Sequence, residues 1–138
     1  MRFMIIGMAT KESEAGPPPK PEAFAAMQQY NEELVKAGVL LAAEGLTASS
    51  QGVRVKFNGD ERIVTDGPFT EAKELIAGFT ILQVKSKEEA IEWVKRAPNV
   101  SPDGQGLVEI RKLMDVEDFV ESAGDAFTPS EEIAKVKY

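Results

Sequence analysis

Two runs in this chain limit what it can fold into. In Phe3–Met8, Phe3 and Ile5 alternate with Met4, Ile6 and Met8. In Ala77–Val84, Phe79 and Ile81 alternate with Thr80, Leu82 and Val84. Successive side chains of a strand point to opposite faces, so each run carries apolar groups on both and must be covered on both. Any acceptable fold therefore sets these two strands inside a sheet with material on each side. The 138 residues suffice for one such domain with a core.

Between these runs the pattern changes period. Residues 9–20, with three consecutive prolines, read as a connecting loop. Pro21 suits the first position of a helix, and Phe24, Met27, Tyr30 and Leu34 follow at spacings of three and four. Lys36 and Gly38 close that helix. Val39–Ala43 is a short apolar strand leading to Glu44-Gly45-Leu46. Val53–Phe57 and Glu61–Thr65 form two strand-like arms around Asn58-Gly59-Asp60, a hairpin signal. Ser86 and Glu89 make a capping box that opens a second helix, which stops at Pro98. Leu107–Leu113 is the last main strand. Beyond it, Val116, Phe119 and Val120 have helical spacing, and Thr128–Glu131 has the form of a further capping box.

The order is strand, helix, strand, inserted hairpin, strand, helix, strand. That predicts an α+β fold of ferredoxin-like βαββαβ type, with residues 1–113 as the domain and 114–138 as its C-terminal helical extension. Two helices cover only one face of such a sheet. The apolar second face then calls for another copy of the chain, giving a homodimer built as a dimeric α+β barrel. Trp93 and the tail are the alternative cover within one chain.

Composition removes several chemistries. The net charge of −7 provides no basic face for nucleic acid and disfavours anionic lipid. There is no cysteine and no histidine, so thiolate catalysis and histidine-based metal or acid–base sites cannot be built. Proton transfer would have to use Asp, Glu, Lys or Tyr. No cofactor and no metal site is expected. The N-terminal apolar run is too short for a signal sequence or a span, which points to the cytoplasm.

The densest polar segment is Thr65-Asp66-Gly67-Pro68-Phe69-Thr70-Glu71-Ala72-Lys73-Glu74. A strand ends on Asp-Gly-Pro, and charged groups crowd the following turn, an arrangement typical of loops that carry function. With Gly78-Phe79, Phe3–Ile6, Gly38-Val39-Leu40, Glu44-Gly45-Leu46 and Val108–Arg111, this segment resembles the DGPF branch of the YCII-related proteins over about residues 1–113. The resemblance implies a ferredoxin-like fold, a dimeric α+β barrel and a small bacterial protein. It also implies an association of some members with extracytoplasmic-function sigma factors. Other YCII-related proteins have been proposed as enzymes using a His–Asp pair; Asp66 matches the Asp, but this chain has no His to pair with it. Lys112 stands where a proline is usual.

The residues themselves give candidates. Asp66 and Glu74 are candidate catalytic groups, Asp66 as a base or as a turn-holding acceptor of backbone amides. Glu71 and Glu74 share a face around Lys73, and paired carboxylates can hold a proton near neutrality. Glu109 and Arg111 alternate with Val108 and Ile110 and point to the second face, where Arg111 is suited to a carboxylate or phosphate. Glu44 approaches the same space. Phe69 supplies an apolar wall and Lys73 a cation, while Arg54 and Lys56 read as a solvated hairpin face. The first reading is a small-molecule enzyme using carboxylate acid–base chemistry. The alternative is a non-catalytic ligand-sensing or accessory module linked to sigma-factor-type regulation. A heme or quinol monooxygenase would share the barrel, but there is no histidine to bind heme.

Overall fold

The computed structural model describes residues 1–16 and 18–118, together with Glu131, Lys135 and Val136. In chain order it contains β1 (Arg2–Met8), α1 (Lys11–Ala15), α2 (Pro21–Lys36), β2 (Leu40–Gly45), β3 (Val53–Asn58), β4 (Glu61–Asp66), β5 (Ile76–Gln83), α3 (Lys87–Lys95) and β6 (Val108–Lys112). Short 3₁₀ turns lie at Ser49–Gln51 and Ala72–Glu74. The tail features read at Phe119, Val120 and 128–130 lie outside the described residues.

The two doubly apolar runs become β1 and β5, and they sit side by side in the middle of a four-stranded sheet ordered β2-β5-β1-β6. Every pairing is antiparallel. This is the ferredoxin-like order, with β3 and β4 inserted as a separate two-stranded ribbon. The sheet is open, with β2 and β6 as its edges.

Helices α2 and α3 cover one face. Phe3 and Leu82 from the sheet pack with Tyr30 and Leu34 of α2 and Ala90 of α3, and Ile5, Leu40 and Ile110 join from the flanks. The stripe on α2 reaches this core only from its second turn, because Phe24 remains 59% exposed. Tyr30 donates a 2.6 Å hydrogen bond to the Trp93 carbonyl, tying α2 to α3. Trp93 itself packs against the helix-side core, so it is not a cover for the other face.

On that other face the register lines up two transverse rows. Glu44, Phe79, Ile6 and Glu109 form one; Ala42, Ile81, Met4 and Arg111 form the next. The centre of this face is not bare, since Ile81 is 1% exposed and Ile6 9%.

Three local readings need correction. The loop read at residues 9–20 contains α1: Thr10 and Ser13 cap each other's backbone amides, and Gly16 ends the turn at φ 98°. In the ribbon, Asn58 stays in the ladder opposite Glu61, and the turn is Gly59-Asp60, with Gly59 at φ 59°. At α3, Ser86 accepts from the Glu89 amide as expected, but Glu89 accepts from the Lys85 amide rather than from that of Ser86.

Candidate functional site

The sequence ends β4 on Asp66 because the next two residues cannot continue a strand. The Gly67 amide leaves the ladder and donates to the Gly52 carbonyl at 2.9 Å. Gly67 then presses against the 3₁₀ turn so closely that a Cβ there would lie 1.8 Å from the Ser49 carbonyl oxygen. Only a residue without a side chain fits. Two residues on, the Phe69 amide donates to Ser49 Oγ at 3.0 Å. Ser49 is gripped in turn by Glu14 of α1, whose carboxylate accepts from the Ser49 amide at 3.1 Å and from its hydroxyl.

These contacts bring α1, the 3₁₀ turn and the Asp-Gly-Pro-Phe loop together at one end of the sheet. Ala9 and Leu75 join them through a 2.7 Å backbone bond, as do Leu46 and Ala77 through one of 2.8 Å. Phe69 is half-buried in this assembly, and the Arg54 guanidinium from β3 lies 3.8 Å from its ring centroid. Stacked this way, an arginine keeps its in-plane N–H donors free for an anion.

Asp66 occupies the last position of β4, opposite Val53, with its side chain exposed. Among the described residues its carboxylate has no hydrogen-bond partner. The turn-holding role that the sequence suggests for Asp66 belongs to Ser49. Glu71 and Glu74 bracket the Ala72–Glu74 turn, where the Glu74 amide donates to the Glu71 carbonyl at 2.9 Å, and both side chains are exposed. Glu71 precedes the turn in a non-helical conformation, φ −97° and ψ 83°, so the helical spacing that would set the two carboxylates on one face does not run through it. The side chain of Lys73 lies outside what the structure describes.

The remaining candidates sit on the sheet. Ile110 packs toward the helices, so Glu109 and Arg111 project from the opposite face, as their alternation predicts. They pair with each other at 3.3 Å, with side chains 52% and 71% exposed. Glu44 falls on the same face and in the same row as Glu109, but at the opposite edge. Three strand spacings, roughly 14 Å, separate them. Lys112, on the helix-side register, reaches Asp115 and Asp118 at 3.4 and 3.3 Å.

A family model described as the YCII-related domain matches residues 1–117. The chain belongs to the YCII-related family. An uncharacterised protein of Rhizobium meliloti (strain 1021) is 33% identical over 79 residues, which is 57% of this chain and 63% of that protein. The chain therefore matches less than two thirds of that relative's length. Among solved structures, 5-chloro-2-hydroxyhydroquinone dehydrochlorinase (TftG) from Burkholderia phenoliruptrix AC1100, in complex with 2,5-dihydroxybenzoquinone, superposes with a TM-score of 0.49. It is 16% identical, and the match covers 85% of this chain and 97% of that one.

Three residues of this YCII-related protein were not legible as site residues: Glu14, Ser49 and Arg54. Glu14 lies in a stretch read as loop, and Ser49 carries no local motif. The alternation of β3 did place Arg54 opposite the Val53–Phe57 face. Only the return of the chain past Gly67 puts an aromatic ring beneath it.

Proposed function

We propose that this YCII-related protein is a small-molecule enzyme that works by carboxylate acid–base chemistry at the Asp-Gly-Pro-Phe loop. Asp66 is the base, and Arg54 over Phe69, or Arg111 at the sheet edge, holds an anionic group of the substrate. One observation carries this reading: Asp66 ends a strand whose exit is fixed on both sides, yet its own carboxylate is left without a partner among the described residues. A rigidly mounted, unused carboxylate is available to an outside ligand. The Arg54–Phe69 stack stands on the other face of the ribbon root, since Arg54 pairs with Thr65 and Asp66 with Val53. A single chain leaves Asp66, Glu74, Glu109 and Arg111 open to water. A second copy packed over the sheet would close the site and exclude that water, so the homodimer belongs to the same proposal. A cytoplasmic setting does too.

The test follows turnover of a small-molecule extract by mass spectrometry, comparing the wild type with Asp66→Asn. The expected result is loss of turnover with the melting temperature unchanged within a degree or two. Retained turnover would remove Asp66 from the chemistry, and a much lower melting temperature would assign it a structural role.

One observation favours the second reading, a non-catalytic sensing or accessory module linked to sigma-factor-type regulation. Glu44 and Glu109 stand at opposite sheet edges, so one chain does not gather all its candidate groups into a cleft. Capture of a regulator without turnover of any metabolite would select that reading.

A further inference from the structure

We infer that Glu14 and Ser49 are positioning residues that set the Asp-Gly-Pro-Phe loop, and with it Asp66 and Phe69, from helix α1. The inference rests on reading that loop as the site. Ser49 is a relay with each hydrogen-bonding group in use. Its amide and its hydroxyl both donate to the Glu14 carboxylate, and its Oγ accepts from the Phe69 amide. Its carbonyl forms the wall against which Gly67 packs. A hydrogen bond to an ionised acceptor is stronger and better oriented than one between neutral groups. Glu14 therefore fixes the Ser49 rotamer, and the fixed hydroxyl fixes Phe69.

The clamp joins segments far apart in sequence. Glu14 and Ser49 are 35 residues apart, and Ser49 and Phe69 are 20. Helix α1 is five residues long and buries no side chain. Its packing cannot be what holds it in place. The Ala9–Leu75 backbone bond holds the chain just before the helix, and the Glu14 carboxylate ties its last turn to Ser49, so a movement of that turn is passed to the loop. The Arg54–Phe69 stack depends on the same alignment, because the ring follows the Phe69 backbone.

The test is amide hydrogen exchange by NMR on the full chain, with the ring-current shift of the Arg54 side-chain protons as a second readout. Variants are Ser49→Ala, Ser49→Thr and Glu14→Ala. In Ser49→Ala, the Phe69 amide should exchange at least tenfold faster and the Arg54 shift should collapse, while the β1–β5 ladder amides keep their rates. Ser49→Thr retains the hydroxyl and should restore protection. Glu14→Ala should give a smaller change of the same kind, and it serves as the test if Ser49→Ala fails to fold. Unchanged Phe69 exchange, or equal acceleration of every amide, would overturn the inference. The readout does not use turnover. Retained turnover in Asp66→Asn would displace the chemistry and leave the clamp standing, and loss of the clamp would leave the Asp66 result to stand alone.

Discussion

At the scale of single residues, the loop is decided by Gly67. A methyl group there would meet the Ser49 carbonyl oxygen at 1.8 Å, and the obstacle is backbone rather than a flexible side chain. Gly67→Ala should therefore cost about 3 kcal/mol, the upper end for forced overpacking, measured by urea denaturation. A change below about 1 kcal/mol would mean that the loop and the 3₁₀ turn separate easily. Asp66, its neighbour, has the opposite character: exposed and without a partner among the described residues, it should tolerate Asn at almost no cost in stability. That contrast was only partly legible. Asp-Gly-Pro announces a turn through its own dihedral limits, so the place was readable. The reason for the glycine is Ser49, which no local pattern marks, so the tightness was not.

At the scale of elements, the long periodic segments were legible, while the short helix α1, the ribbon turn and the α3 cap were not read correctly. Period-two alternation gave β1, β5 and the ribbon, spacings of three and four gave α2, and a capping serine with a later proline gave α3, because those signals lie within a few residues. Helix α1 was missed because five residues are too few for periodicity and its cap uses Ser13 where Glu is usual. The join between α2 and α3 was also invisible, since it depends on Tyr30 reaching the Trp93 carbonyl. Burial, chiefly, raises the Tyr30 hydroxyl above the usual tyrosine value, with Arg96 opposing and Glu33 adding to the rise. The sign follows from linkage. A group raised in the folded state contributes stability that is complete below its unfolded value, about pH 10. That contribution is lost as pH climbs through the raised value. Tyr30→Phe should thus cost about 1 kcal/mol at neutral pH through the lost hydrogen bond. It should also flatten the stability loss above pH 10, seen in thermal melts from pH 8 to 11. An unchanged alkaline slope would show that another group controls it.

For the whole molecule, the sheet order followed from the succession of elements, because few topologies join these strands without crossing. The second face was harder. Doubly apolar strands require cover there, and Ile81 and Ile6 are indeed buried within the chain. The ribbon adds a separate demand: Val53, Val55, Phe57 and Val64 share one of its faces and are each at least half exposed. Exposed apolar patches of this kind mark contact surfaces. The expected partner is a second copy, so light scattering at micromolar concentration should give the mass of two chains. The mass of one chain would leave the site open to solvent and count against an enzyme.

The ribbon has one more consequence, for engineering. Among the described residues its two strands pair only with each other, and they turn at Gly59-Asp60, away from the Gly52–Gly67 tie at the base. Exposed hairpin tips are where chains accept added sequence best. A short tag or a fluorescent reporter spliced between Gly59 and Asp60 would leave the four-stranded sheet unbroken. It would report from a handle rigidly connected, through two strands, to the loop that carries Asp66.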